Sequence, residues 1–176
     1  MNSLFKVVIV AGPNGAGKTT FASQYLPKSV RQYEYVNADE IVKTMIESGV
    51  ASENANFNAG RTMLRMLDEH VEARRDLMLE TTLSLRGYAR QIPQWQLLGY
   101  DVLLYYLRLP DVEHAIERVR RRVAAGGHDI PEADIRRRFA RSLEYLENLY
   151  KPIVDEWHVF DSLDGKFSHV ASGGRK

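Results

Sequence analysis

The segment Gly12-Pro13-Asn14-Gly15-Ala16-Gly17-Lys18-Thr19 satisfies G-x-x-x-x-G-K-[ST] at every position, and it follows the apolar run of residues 4–10 (LFKVVIV). No other feature restricts the fold as much, because the pattern makes sense where a buried strand turns sharply into a helix. Glycines let the backbone curl until successive N–H groups converge on one point, where side chains would obstruct. The helix after the curl adds free N-terminal donors and a positive dipole end, so the curl suits phosphate oxygens. Lys18 brings a point charge for the β- and γ-phosphates of a nucleotide, and Thr19 a hydroxyl for Mg2+. A glycine turn that held no ligand would have no reason to place Lys-Thr there. The expected nucleotide cradle is Gly12, Pro13, Asn14, Gly15, Ala16, Gly17, Lys18, Thr19 and Thr20.

The rest of the chain alternates between two periodicities. Residues 33–37 (YEYVN), 77–80 (LMLE), 100–107 (YDVLLYYL) and 157–160 (WHVF) read as further strands, the last of them closing the sheet. Helical patterns open near Lys18 and at Asn37, which offers an N-cap with Glu40 as its capping-box acid. Others run over about 54–75, over 87–98 with Pro93 as an interruption, over 111–125 and over 132–150. Strands alternating with helices predict a parallel sheet covered on both faces, an α/β fold built as a three-layer α/β/α sandwich. At 176 residues the chain has the size of a single domain, 1–176, with no compositional break. Residues 162–176 match no element and are expected to be loosely ordered. No run approaches the ~20 apolar residues that cross a bilayer. The chain lacks cysteine, which excludes disulfides, thiolate metal sites and cysteine nucleophiles, and a cytoplasmic location is expected.

With 24 basic and 23 acidic residues the chain is no polycation, yet eight of its 17 arginines crowd into residues 118–141 against three acids, Asp129, Glu132 and Asp134. This block flanks Gly126-Gly127. A guanine-reading N-K-x-D segment is absent, and the apolar run Leu103 to Leu107 leads into Arg108 rather than the aspartate of a hydrolytic ATPase. These features point to phosphoryl transfer under a closing lid, which excludes water. Arg118 and Arg122 before the hinge, and Arg136, Arg137, Arg138 and Arg141 after it, could grip phosphates with planar forks. A solvated basic face or an RNA-binding patch is the alternative. For the proton of an acceptor hydroxyl the best-placed carboxylate is Asp39, just after the second strand; the alternative is a first-turn acid that complements the helix dipole, a role Glu40 could fill equally well. Glu80, Thr81, Thr82 and Ser84 end the third strand on the same edge, as an acceptor rim or as strand-end caps.

Four segments together, residues 12–20 (GPNGAGKTT), 36–41 (VNADEI), 80–84 (ETTLS) and 118–141 (RVRRRVAAGGHDIPEADIRRRFAR), give the chain a specific resemblance to the zeta-toxin kinases, closest to the short stand-alone bacterial members. The resemblance implies a nucleoside-kinase-like fold with ATP and Mg2+ as cofactors. It implies that Asp39 acts as base, that Glu80 and Thr82 hold the acceptor, and that lid arginines steady the phosphates, by position Arg122 and Arg138 with Arg118 and Arg137 as competitors. The acceptor in that family is the amino sugar of UDP-N-acetylglucosamine, and a partner antitoxin inhibits by covering the ATP site. Better-known members carry an arginine where this chain has Ser84, with Arg86 two residues on, and they have extra helices around the sugar pocket. Two rivals use the same loop: a nucleic-acid end kinase, which the low net charge and missing aromatic platform oppose, and a nucleotide-dependent interaction protein without its own acceptor.

Overall fold

Val7 to Ala11 are buried on both faces, so the strand Phe5–Ala11 (β1) has to lie inside a sheet with cover above and below. In the computed structural model, which describes residues 5–127 and 129–175, it does. The side chains of Arg31, Asp39, Ser52, Glu53, Ala55, Asn56 and Phe57 lie outside the described set. The chain continues through Lys18–Gln24 (α1), Glu34–Asn37 (β2), Ala38–Glu47 (α2), Ser52–Glu72 (α3), Leu77–Thr81 (β3) and Gly87–Leu97 (α4). It ends with Tyr100–Arg108 (β4), Val112–Ala124 (α5), Glu132–Tyr145 (α6), Glu156–Leu163 (β5) and Lys166–Gly174 (β6).

The six strands order as β2-β3-β1-β4-β5-β6, with all pairs parallel except β5–β6. This is the α/β sandwich the periodicities predict. On one face, Val7, Ile9, Leu79, Val102, Leu104 and Tyr106 pack against α3 and α4 through Met63, Leu67, Ile92 and Trp95. On the other, Val8, Val10 and Met78 meet α1 and α5 through Phe21, Ile116 and Val119. Each fully buried Val, Leu or Ile contributes on the order of 1.5–3 kcal/mol, so these two layers set the arrangement of everything at the sheet's rim. Pro93 does not end α4; it lies on the solvent side of a helix that runs through it.

α6 joins the two layers. Ile135 and Phe139 belong to the α5 side, whereas Leu143 and the π-helical turn Leu146–Tyr150 belong to the other, so the helix crosses above the carboxyl ends of the strands. Asp111 caps α5 by accepting from the His114 N–H at 2.9 Å.

The tail corrects the sequence reading. Residues 166–174 are not loose but form β6, and β5 is therefore not the last strand. Asp164 and Gly165 both take positive φ, 49° and 73°, as a tight hairpin turn between antiparallel strands requires. Phe167 then turns inward, its ring centroid 5.2 Å from that of Phe21 and 4.8 Å from that of Tyr25. Phe167→Ala should lower stability to urea by about 2 kcal/mol, less than a fully buried Phe because the ring is half-covered. Val170→Ala, at an exposed position of the same strand, should change it by less than ~0.5 kcal/mol. Equal effects of the two would mean that β6 is not held by that ring.

Candidate active site

The loop after β1 is built around space that only glycine leaves. A Cβ on Gly12 would collide with the Leu107 carbonyl of β4, and one on Gly15, where φ is +77°, would stand 2.9 Å from the Arg118 Cβ. The loop curls over Lys18, whose Nζ donates to the carbonyls of Gly12 at 3.0 Å and Pro13 at 3.1 Å. Asn14 is buried inside the curl, and its Oδ1 has no hydrogen-bond partner among the described residues.

The loop is backed from behind. Arg118 of α5 donates to the Gly15 carbonyl at 3.2 Å, to Ser162 Oγ at 3.0 Å and to the Ser162 carbonyl at 3.1 Å, tying loop, helix and β5 together. The Phe167 ring closes against Gly17, 3.3 Å from where a Cβ would sit. Arg118 therefore serves as a staple of the loop rather than as a guanidinium pointed freely at phosphate.

In front of the loop, Glu80 at the end of β3 is only 5% exposed and both carboxylate oxygens are used. Oε2 accepts from Thr19 Oγ1 at 3.0 Å and Oε1 from the Tyr35 hydroxyl at 2.6 Å, while Asn37 Nδ2 donates to that hydroxyl at 2.8 Å. Burial first, then the bond to Glu80 and its negative charge, push the Tyr35 hydroxyl pKa well above the usual value, so it stays a donor. The Thr19–Glu80 bond has a sequence signal, Leu77-Met78-Leu79-Glu80. It is an apolar run ending in a carboxylate on a strand beside β1, the pattern sought at residues 103–108 on the neighbour on the opposite side. The hydroxyl and the buried carboxylate are hard oxygen donors of the kind Mg2+ takes, so the residues present fit that ion.

Beyond Glu80 the chain is held in an unusual shape. Leu83 has φ +58°, fixed by its N–H donating to Thr81 Oγ1 at 3.0 Å and by full burial of its side chain. Thr82 and Ser84 thereby turn to the cleft, their hydroxyls 2.8 Å apart.

Two clefts flank the loop. One of about 730 Å3 lies between α5 and the β5–β6 hairpin, walled by Gly17, Thr20, Arg118, Arg121, Asp164 and Phe167. The other, about 220 Å3, lies under α6 and brings together Lys18, Glu80, Thr82, Ser84, Arg138 and Arg141. The arginine block divides accordingly. Arg120 and Arg136 pair with Glu132, Arg136 also with Glu113, Arg121 with Glu117, and Arg137 with Asp134. The Arg136 fork, with Arg120 beside it, holds the Glu132 carboxyl below its usual pKa. Arg138 and Arg141 have no ion pair among the described residues and line the smaller cleft, together with Arg137. Arg122 sits exposed in the last turn of α5, outside the walls of both clefts. Asp39 falls in the first turn of α2, next to Ala38 of the smaller cleft, and its side chain lies outside the described residues.

Known proteins are similar to this chain in sequence family and in fold. A sequence model of the family described as "Zeta toxin" matches residues 5–165. An uncharacterized protein of Haemophilus influenzae is 25% identical over 134 residues, which is 76% of this chain and 92% of that protein. The AvrRxo1-ORF1:-ORF2 structure with ATP superposes with a TM-score of 0.70 at 18% identity, covering 96% of this chain and 57% of that one, so this chain spans little more than half its length. A structure of the PezAT chromosomal toxin-antitoxin system of Streptococcus pneumoniae gives 0.62 at 17% identity, covering 98% of this chain and 72% of the other. At these identities the two structures show a shared fold.

The staple behind the loop can be tested alone. Arg118→Ala should cost about 1–2 kcal/mol in chemical denaturation, because it leaves the Gly15 and Ser162 carbonyls without their charged donor. Ser162→Ala, which keeps both carbonyl contacts, should cost less than ~1 kcal/mol. Wild-type stability in Arg118→Ala would show that the loop does not depend on this side chain.

Proposed function

This chain belongs to the zeta toxin family, and on that premise we propose that it is an ATP-dependent kinase that transfers the γ-phosphate to a hydroxyl of a small molecule. The observation that carries the reading is that the loop walls two clefts of different size, Gly17 and Thr20 the larger and Lys18 the smaller, with the buried Glu80 bonded to Thr19. The larger cleft takes the nucleoside of ATP, its phosphates lie on the loop from Gly12 to Thr20, and the acceptor enters the smaller one. Lys18 exchanges the Gly12 and Pro13 carbonyls for phosphate oxygens and follows the transferred charge. Arg138, unpaired by any described carboxylate, reaches the same charge from α6, and Arg122 joins it only when the α5–α6 connection closes. Mg2+ held through Thr19 would neutralise charge on the phosphates. Asp39 takes the proton of the acceptor hydroxyl, and Glu80 and Thr82 orient the acceptor.

The family points to the amino sugar of UDP-N-acetylglucosamine as the acceptor. A cleft of about 220 Å3 falls below the ~300–1,000 Å3 usual for ligand pockets, so such a substrate needs α6 to lift and then close. An antitoxin would be the protein partner, as in the PezAT system. The protein would work in the cytoplasm as one domain, 1–176; no helix among the described residues is long and apolar enough to cross a membrane.

Mass spectrometry of a reaction containing protein, ATP, Mg2+ and UDP-N-acetylglucosamine should show a product heavier by one phosphoryl group, absent with Lys18→Ala. No product despite bound ATP would remove this acceptor. In the same assay Lys18→Ala and Asp39→Ala should both abolish transfer. Lys18→Ala should weaken ATP binding by about tenfold or more, roughly 1.4 kcal/mol, whereas Asp39→Ala should leave it within about twofold. Comparable ATP affinity in the two variants would refute that division of roles.

A further inference from the structure

We propose that Tyr35 is a positioning residue for the metal side of the site, acting through Glu80 on Thr19; this rests on the kinase reading of that site. Tyr35 and Asn37 lie two apart on β2 and so share a face, and Asn37 stands opposite Glu80 in the β2–β3 register. The Tyr35 hydroxyl therefore reaches diagonally to the carboxylate on the neighbouring strand, where it donates at 2.6 Å. Its ring packs against the α1-side cluster, with Met78 opposite it in the β2–β3 register, which fixes the hydroxyl in space before any ligand arrives. Asn37 orients it further, since a hydroxyl that accepts the amide N–H points its own proton elsewhere, here to Glu80.

The consequence passes along the chain of bonds. A carboxylate this buried adopts the rotamer that keeps its donors. With Tyr35 holding Oε1, Oε2 faces Thr19 and takes the proton of its hydroxyl in a hydrogen bond. The lone pairs of Thr19 are then directed away from Glu80, toward the space in front of the loop where a cation and phosphates would lie. Partners of this kind, one bond removed from the ligand, orient a site without touching it. Without the Tyr35 hydroxyl, Glu80 has one donor fewer and Thr19 loses its fixed orientation, while the ring packing survives.

The test is isothermal titration of ATP with Mg2+ and with EDTA, on wild type and Tyr35→Phe. Tyr35→Phe should bind ATP in EDTA within about twofold of wild type, and its apparent Mg2+ affinity in the ATP complex should fall about tenfold. Transfer at limiting Mg2+ should fall in step and recover as Mg2+ is raised. In a Glu80→Gln background, where the hydroxyl no longer faces a carboxylate, adding Tyr35→Phe should change Mg2+ affinity by less than about twofold. Melting curves of each variant separate these effects from loss of fold. Equal weakening of ATP with and without Mg2+, or the same cost in both backgrounds, would overturn the proposal. A wild-type protein whose ATP binding ignores Mg2+ would overturn the reading of the site itself, and this inference with it.

Discussion

A carboxylate at 5% exposure has to be satisfied on both oxygens, and around Glu80 the need draws separate parts of the chain together. Its partners come from the helix after β1, through Thr19, and from β2, through Tyr35 and indirectly Asn37. Burial also shapes the next few residues: Leu83 enters the left-handed region so that its side chain can stay in the core while Thr82 and Ser84 face the cleft. Backbone in that region costs an ordinary residue roughly 1–3 kcal/mol, and here a hydrogen bond and a buried leucine offset it. The front of the loop is thus arranged around one buried carboxyl group, and its back around the Arg118 guanidinium.

Much of this was legible in the chain. The loop, its two flanking elements, the alternation of strands and helices and the apolar stripes of α5 and α6 come from local spacing. Glu117–Arg121 and Glu132–Arg136 are four apart on helices, so their pairing could be read too. The pairing of Arg136 with Glu113 could not, since it needs α5 and α6 side by side. Thr19 and Glu80 are 61 positions apart, and Arg118 and Gly15 are 103 apart. Such bonds depend on strand order, which periodicity does not state. The tail was different: Asp-Gly between β5 and β6 is a hairpin signal. It was obscured by a strand rich in Ser, Gly, Lys and His that sits at a sheet edge and buries little.

α6 is anchored unevenly. Its carboxyl half is held by Tyr106 bonded to Ser142 at 2.8 Å and by Tyr150 of the π-helical turn, whose hydroxyl donates to the Leu85 carbonyl. Its amino half rests on Ile135 and on ion pairs exposed to solvent, which salt screens and which are individually weak. Arg141 sits on the firm half and Arg137 and Arg138 one turn toward the loose one. Closure over the smaller cleft would therefore pivot within the helix.

Gly17 and Phe167 touch although 150 positions separate them along the chain. During translation the loop leaves the ribosome long before the hairpin that braces it. Until β5 and β6 have formed, the loop has its strand, its helix and the Arg118 bond to Gly15, but neither the Ser162 anchor of Arg118 nor the Phe167 ring. The growing polypeptide thus acquires its braced loop only after the β5–β6 hairpin has emerged, and a product cut short before Phe167 never acquires it.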